Sequence, residues 1–478
     1  MIAHERVARR WAEGVELRYE LSLLNWGSHI AHGILRVQTE VPEEPAVEMA
    51  FNSPDCDDGC SDPAGDLRDR LVSVIREAKR SLDVAIYGLD DIRVLGALCD
   101  AAARGVVVRA VTDETSEDPN DSRSYHPALF STAGGLAGCG ARVEAVRSYG
   151  LMHDKFLIID RGTEDAVLVT GSANFTVAGF ELNHNHLLFL RGVPGLVDAF
   201  QAEMDQLLRH CASDRLDGRE ARCAECSPAC TEDRTPIGPW PLSDGQVEAY
   251  FSPSDDPLRA LRGESREVKL PEPDPACLGP DATCACRPSG RRWSCSHCAE
   301  GDDGWGLVGD ATERIAMTMY SATDACFALG LARAARRGVE VLTVWDFVKA
   351  GSPYSLDDWL CAEGIPTYIT NWGNGSAQVR NHNKIIVIDD MVFDGSMNVG
   401  ASGADENNEN SLVIRSPSVA QALADYIASE AALLERSGVS PQDPDACRCR
   451  DLVDNDGDGR TDGEDVDCDS EPSPGVPI

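Results

Sequence analysis

The 478-residue chain carries 43 basic against 80 acidic side chains, a formal net charge of −37, and is 42% hydrophobic, enough for two to three domains with ordinary buried cores. So negative a charge argues against a general nucleic-acid coat or a binder of anionic membranes, because counterion release and steering both need a basic surface. No run reaches 18 apolar residues, so no membrane-spanning helix is expected, and the first thirty residues lack the apolar core of a secretion signal.

In chain order, residues 1–46 form an N-terminal extension in which a helix is expected from Glu5 to Leu24 and no chemistry is assigned. A first repeat covers 47–215, a Cys- and Pro-containing linker 216–246, a second repeat 247–435 with a Cys-rich insertion at about 262–304, and an acidic tail 436–478. The repeat rests on matched landmarks. Val47-Glu48 with Phe51-Asn52-Ser53-Pro54 returns as Val247-Glu248 with Phe251-Ser252-Pro253. Tyr87 closes an apolar run from Leu82 and stands 18 residues before Gly105; Tyr320 closes a run from Ile315 and stands 18 residues before Gly338. The spacing of Leu67, Leu71, Val74, Ile75 and Ala78 predicts a helix. Further helices, Ile92 to Ala103 and Cys326 to Ala335, end at an Arg-Gly pair where glycine can take the left-handed cap conformation, and the first is followed by a strand over Val106 to Val111. Phe156 to Ile159 and Ile385 to Ile388 are continuous apolar runs that suit central strands. Strand, helix, strand in succession is the signature of an α/β sheet.

Eighteen cysteines, an even number clustered in Pro-, Asp- and Gly-rich stretches, favour disulfides in an oxidising compartment, hence a secreted or periplasmic protein. Cys99, Cys326 and Cys361 read instead as buried free thiols. Zinc is the alternative for Cys223-x2-Cys226 and Cys295-x2-Cys298, but about seventy residues separate the two pairs and no compact zinc-ribbon spacing appears.

The pattern His-x-Lys-x4-Asp occurs twice, as His153, Lys155, Asp160 and as His382, Lys384, Asp389. Chance would supply one such match on the order of 0.01 times in a chain this long. Two of the five lysines stand there, although 38 of the 43 basic residues are arginine. On a strand, histidine and lysine two apart share a face. Gly171-Ser172-Ala173-Asn174 follows in one half and Gly395-Ser396-Met397-Asn398 in the other. Two lysines, two asparagines and two serines converging on one spot would clamp the oxygens of a phosphoryl group without a metal, so no cofactor is expected for catalysis. Two histidines could then divide the labour: one attacks phosphorus while neutral, and the other, protonated, donates to the leaving oxygen. His184 and His186 are open between a local structural or substrate-contact role and none. His29, His32, His126, His210 and His297 read as ordinary core or surface residues.

These motifs, over both repeats, resemble the phospholipase D superfamily. The resemblance implies two phospholipase D-like α/β sandwich domains with mixed central sheets, related by a pseudo-twofold axis, with one active site at their interface and one chain acting as a monomer. It implies phosphodiester hydrolysis through a phosphohistidine on His153, with His382 as general acid. Lys155, Lys384, Asn174 and Asn398 would hold phosphate with Ser172 and Ser396 nearby, and Asp160 and Asp389 would support the framework. The family places a carboxylate eleven residues past each asparagine to orient the histidine of its own half; here Glu409 takes that place after Asn398 and Asn185 after Asn174. Chain order favours His153 as nucleophile, whereas a carboxylate behind His382 favours the reverse. Both assignments stand at this level.

In the tail, Asp454, Asp456, Asp458, Asp462 and Asp465 occupy positions 1, 3, 5, 9 and 12 of a calcium-loop spacing with Gly459 at 6, and Arg460 offers its carbonyl at 7. A structural calcium is expected there, against the plainer reading of a solvated acidic tail. The leading function is hydrolysis of a phospholipid headgroup phosphodiester. An endonuclease of the same superfamily, disfavoured by net charge, and a non-catalytic calcium-stabilised surface protein are the alternatives.

Overall fold

The computed structural model of the protein describes residues 2–11, 14–22, 30–37, 46–52, 67–113, 127–130, 134–146, 150–210, 236–271, 274–277, 283–289, 292–299, 304–352, 354–370, 379–444 and 447. The calcium-loop candidates Asp454, Asp456, Asp458, Arg460, Asp462 and Asp465 lie outside them.

Three antiparallel strands, β1 (Ile2–Trp11), β2 (Gly14–Ser22) and β3 (Ile30–Val37), make a sheet of their own. This overturns the helix expected from Glu5 to Leu24. Val15, Leu17, Tyr19 and Leu21 alternate with other residues at the two-residue period of a strand, and that period prevails.

The first repeat runs β4 (Ala46–Asn52), α1 (Leu67–Glu77), β5 (Ser81–Ile86), α2 (Ile92–Ala103), β6 (Val107–Asp113), α3 (Pro127–Phe130), β7 (Arg142–Val146), β8 (Lys155–Ile159), β9 (Val167–Gly171), α4 (Val177–Glu181), β10 (Asn183–Arg191), α5 (Pro194–His210). The second runs β11 (Trp240–Leu242), β12 (Gly245–Ser252), α6 (Pro257–Arg262), β13 (Ser265–Leu270), β14 (Cys284–Ser289), β15 (Arg292–Cys298), α7 (Gly306–Asp310), β16 (Arg314–Met319), α8 (Ala325–Arg336), β17 (Glu340–Trp345), α9 (Phe347–Ala350), α10 (Asp357–Ala362), β18 (Thr367–Ile369), β19 (Arg380–Asn381), β20 (Lys384–Ile388), β21 (Met391–Gly395), β22 (Glu409–Arg415), α11 (Pro417–Arg436). Side by side, β4-β10-β9-β8-β5-β6-β7 form one sheet and β12-β22-β21-β20-β16-β17-β18 the other, matching strand for strand. In each the last three strands are parallel and the rest antiparallel, the mixed α/β layers expected.

Local chemistry sets the crossovers. Asp91 accepts from Arg93 N and Val94 N to start α2, and Asp324 accepts from Phe327 N to start α8. Gly105 and Gly338 follow these helices at φ 92° and 94°, where a Cβ would be strained, and turn the chain into β6 and β17.

One apolar core fills the space between the sheets, drawing on α5, α11 and both repeats, while α1 with α2 and α8 with α10 cover the outer faces over two further cores. Phe156, Phe200 and Phe251 form an edge-to-face chain across the repeats, with centroids 5.1 and 4.9 Å apart. Each such pair adds roughly 0.5–1.5 kcal/mol beyond the area it buries. The repeats therefore meet through a shared core, which fixes whatever lies at their boundary.

The described cysteines form five disulfides: Cys99–Cys139, Cys277–Cys284, Cys286–Cys295, Cys298–Cys326 and Cys361–Cys447. The expectation of free thiols at Cys99, Cys326 and Cys361 is thus corrected. Each sits on a helix, and its partner comes from a separate segment packed on that helix, a pairing that local pattern does not reveal. In the Cys-rich insertion β13, β15 and β14 form a small sheet, and Cys298–Cys326 ties it to α8. Among the described residues no helix is long and apolar enough to cross a membrane.

Candidate active site

Both motif lysines begin a central strand, β8 at Lys155 and β20 at Lys384, and both are fully buried. Each folds back so that its Nζ donates to the carbonyl of its own histidine, Lys155 to His153 O and Lys384 to His382 O, at 2.8 Å in both cases. A tyrosine closes each pair. Tyr87 lies 5.3 Å from the His153 ring and 5.9 Å from Lys155 Nζ; Tyr320 lies 4.8 Å from the His382 ring and 5.0 Å from Lys384 Nζ. The tyrosines were visible in sequence as repeat landmarks, yet only the fold shows that they wall the site.

The repeats are stitched together at the histidines themselves. His153 N donates to Asn408 O and His382 N to His184 O, each at 2.9 Å, so each motif is held by the opposite repeat. The side chains follow the same rule. Glu409 places both carboxylate oxygens 2.8 Å from His153 Nδ1, while His382 Nδ1 faces Asn185 Oδ1 at 3.0 Å and Ser172 O at 3.1 Å. Such reciprocal contacts are what a pseudo-twofold axis imposes.

This corrects the expectation that Glu409 orients His382 and Asn185 orients His153. β10 and β22 begin at the interface, so their first side chains project into the other repeat. Asn185 Nδ2 donates to Gly179 O, which turns its oxygen toward His382. Ser172 Oγ donates to Asn185 Oδ1 at 2.9 Å, and Ser396 Oγ to Glu409 Oε2 at 2.6 Å. Both serines are fully buried and spend their hydroxyls on the groups that hold the histidines, and Asn185, a substrate-contact candidate with them, faces His382. Asn407, which sequence reasoning missed, donates a further bond to Glu409 at 3.0 Å.

Asn174 and Asn398 stand three residues past Gly171 and Gly395, and their buried Oδ1 atoms accept no hydrogen bond among the described residues. Only glycine fits at those turns, because a Cβ would meet His186 O at 2.6 Å and Asn410 O at 2.1 Å. Asp160 and Asp389 lie at the far ends of β8 and β20, roughly 16 Å along the strands from the lysines. Asp160 accepts from the backbone of Lys79, Arg80 and Ser81, and Asp389 from Thr312, Glu313 and Arg314. They are framework residues, away from the reacting centre. His184 and His186 are fully buried; His186 Nε2 comes within 2.6 Å of Asp394 Oδ2, though not aligned for a hydrogen bond, and its Nδ1 lies 2.9 Å from Asn383 Oδ1.

Burial dominates the electrostatics. It lowers the pKa of His153, with Lys155 and Lys384 acting the same way and Glu409 opposing. Burial, then Lys384, Lys155 and His153, hold His382 well below the histidine range, with no carboxylate among its principal neighbours. Burial brings Lys155 down to about 8, and burial with Lys155 takes Lys384 well below its usual value. Burial pushes Glu409 up, but His153 and Lys155 outweigh it and leave the carboxyl below its ordinary value. The cluster gathers cations that disfavour one another, and an anion between them would oppose the lowering of the histidines and lysines. The metal-ligating clusters among the described residues, Cys277/Cys286/Cys295 and Asp274/Cys277/His297, lie elsewhere and are built on disulfide-bonded sulfur.

A family described as "Cardiolipin synthase, PLD-like domain" matches residues 71–208 and 307–430, more than half of the chain and both motifs. The mitochondrial cardiolipin hydrolase of Xenopus laevis is 34% identical over 138 residues, 29% of this chain and 59% of that protein. A phospholipase D of Rickettsia conorii is 29% identical over 131 residues, 27% of this chain and likewise 59% of its own length. The chain thus spans under two thirds of the curated relatives it matches. The crystal structure of a phosphatidylserine synthase from Haemophilus influenzae shares the fold, with a TM-score of 0.51 and 12% identity over 84% of this chain and 90% of that one. With the matched segments covering both repeats and their motifs meeting at one interface, the chain belongs to the phospholipase D superfamily.

Proposed function

We propose that the protein is a phospholipase D-like phosphodiesterase that hydrolyses the headgroup-side phosphodiester of a phospholipid through a phosphohistidine on His153. The observation that carries the assignment is the crosswise pairing of Glu409 with His153 and of Asn185 with His382. A proton on His153 Nδ1, directed at Glu409, leaves the Nε2 lone pair for phosphorus, and the carboxylate stabilises the positive charge that grows on the ring as the P–N bond forms. His382 faces two acceptors through Nδ1, so its Nε2 is the atom that donates.

In the first step His153 Nε2 attacks phosphorus, the P–O bond to the headgroup breaks, and His382 Nε2–H protonates the departing oxygen. In the second, His382 takes a proton from water as the water oxygen attacks phosphorus; the P–N bond breaks and His153 leaves neutral. Lys155 and Lys384 counter the charge on the non-bridging oxygens, and Asn174 and Asn398 are the remaining amides at hand. Burial and the lysines hold both histidines below their usual pKa; the negative charge of a phosphodiester offsets the lysines and lets His382 take up its proton.

A phospholipid fits the surroundings better than a nucleic acid. Phe347 and Val348, 43% and 38% exposed, lie on α9, whose capping Asp346 also accepts from Asn381 N, one residue before His382. Apolar side chains beside the site suit a lipid–water boundary, whereas a net charge of −37 opposes a polyanion. The same proposal includes monomeric action, an oxidising compartment and calcium in the loop at 454–465, supported by the disulfides and by the loop's ligand spacing.

The test incubates the full chain with phosphatidylcholine, phosphatidylglycerol and single-stranded DNA, in chelator and in calcium, beside His153→Asn and His382→Asn. Headgroup release in chelator, lost in both variants, is the expected result. Cleavage of DNA alone would reverse the substrate class, and no turnover of any diester would favour a binding protein.

A further inference from the structure

The two halves differ around their tyrosines. Asp113 Oδ2 accepts from Met152 N at 2.8 Å, and Asp346 Oδ2 accepts from Asn381 N at 2.9 Å, which makes Leu151 and Arg380 equivalent positions. An apolar side chain beside the His153 strand is therefore matched by a guanidinium beside the His382 strand. A second difference lies three residues past these aspartates, where Ser116 stands in one repeat and Lys349 in the other. Lys349 Nζ lies 5.1 Å from the centroid of Tyr320, the ring that Lys384 Nζ meets at 5.0 Å and that lies 4.8 Å from His382. Lys349 is also one of only five lysines in a chain that uses arginine at nearly every other basic position.

Among the described residues these cations find little to neutralise them. Arg380 Nη1 is buried and donates to no acceptor among the described residues. Asp346 attracts Arg380, but its oxygens already accept from Val348 N, Lys349 N and Asn381 N. Partly buried cations beside an engaged carboxylate suit an anion from outside the chain.

We propose that Lys349 and Arg380 form a second anion subsite, which receives a carboxylate or phosphate carried on the leaving alcohol. The inference rests on His382 as general acid: the leaving oxygen must lie beside that ring, so the group attached to it extends over Tyr320 toward Lys349. The substrate class is then a phosphodiester whose headgroup bears a negative charge of its own. Among the described residues no cation matches Arg380 on the His153 side, where Leu151 takes its place, so the substrate enters in one direction.

Two matched pairs of short-chain lipids test this. Phosphatidylglycerophosphate differs from phosphatidylglycerol only by a phosphate, and phosphatidylserine from phosphatidylethanolamine only by a carboxylate. Binding of all four to full-length His153→Asn is measured by calorimetry, beside turnover by the unsubstituted chain. The anionic member should bind at least tenfold more tightly in one pair or both, and the responding pair identifies the group. Lys349→Ala or Arg380→Leu in the same background should cut that ratio to threefold or less, while Lys349→Arg keeps most of it. Equal binding within both pairs, or a ratio that neither variant moves, overturns the subsite. Failed turnover with the binding ratio intact would overturn the hydrolytic reading and not the subsite. An oligonucleotide that binds more tightly than every lipid, and loses that advantage in the same variants, would overturn the lipid class.

Discussion

The repeats bring the same parts to the interface and wire them differently. His153 meets a carboxylate and His382 meets an amide and a carbonyl, although both partners stand eleven residues past an asparagine at the start of matched strands. One layer behind, Asn410 donates to Thr170 across the interface at 2.6 Å, and at the equivalent place His186 stands 2.6 Å from Asp394. Pseudo-symmetry sets where side chains go, and single identities decide what each half does. A carboxylate helps the ring that must become positive, while neutral acceptors leave the other ring the stronger acid.

The largest effects fall on the histidines. We expect His153→Asn and His382→Asn each to slow turnover by about 10⁴-fold or more. A substrate whose leaving group needs no protonation separates them, because His382→Asn should then accumulate a phosphorylated chain while His153→Asn shows none. Phosphate on the His382 peptide would reverse the assignment. Next comes Glu409→Gln, expected to cost about 10³-fold in kcat because an amide neither fixes the His153 tautomer nor stabilises the cationic ring. A loss under tenfold would show that the carboxylate does not divide the halves.

The buried layer sharpens the same contrast through stability. His186 and Asp394 are fully buried, so removing one partner should destabilise the fold by about 3–5 kcal/mol in denaturant melts. The exchange His186→Asn with Asp394→Thr copies the Asn410–Thr170 pair of the other half, and it should recover most of that loss. Additive losses in the double variant would show that the two positions are not coupled.

Much of this was legible in sequence. The helices from Ile92 and near Cys326, the central strands after each lysine and the Arg-Gly turns follow from local periodicity and capping, which need only neighbours in the chain. The histidine–lysine pairs and the asparagine turns carried the site because their spacing is local too. What stayed hidden depends on residues about two hundred or more positions apart. Glu409 on His153 is separated by 256 residues and Asn185 on His382 by 197, and no spacing rule says which of two similar repeats a strand end will enter. Cys99, Cys326 and Cys361 pair over shorter separations of 40, 28 and 86 residues, but each partner lies in another element, so no local pattern reveals it; in the N-terminal strands the two-residue period of Val15, Leu17, Tyr19 and Leu21 is the local signal that decides.

The smallest expected effects come from pH and from the amide at residue 185. His382 must carry a proton to donate and its pKa is held well below the histidine range, so kcat/KM should already decline as pH rises through neutrality, and more steeply above about 8, where Lys155 loses the charge that meets phosphate. The acid limb should lie below 6.5, because His153 must be neutral to attack and its pKa is lowered. Asn185→Asp moves this profile in a defined direction. A carboxylate at His382 Nδ1 favours the charged ring, so the His382 pKa should rise, and its ring signals in NMR should titrate at a higher pH than in the unsubstituted chain. More of the enzyme is then in the acid form before substrate arrives, yet that acid is weaker. These changes oppose one another, and the net change in kcat/KM at neutral pH should stay within about tenfold. A large loss with no shift in titration would mean that Asn185 acts by shape, through Ser172 and Gly179, and that charge does not separate the two halves.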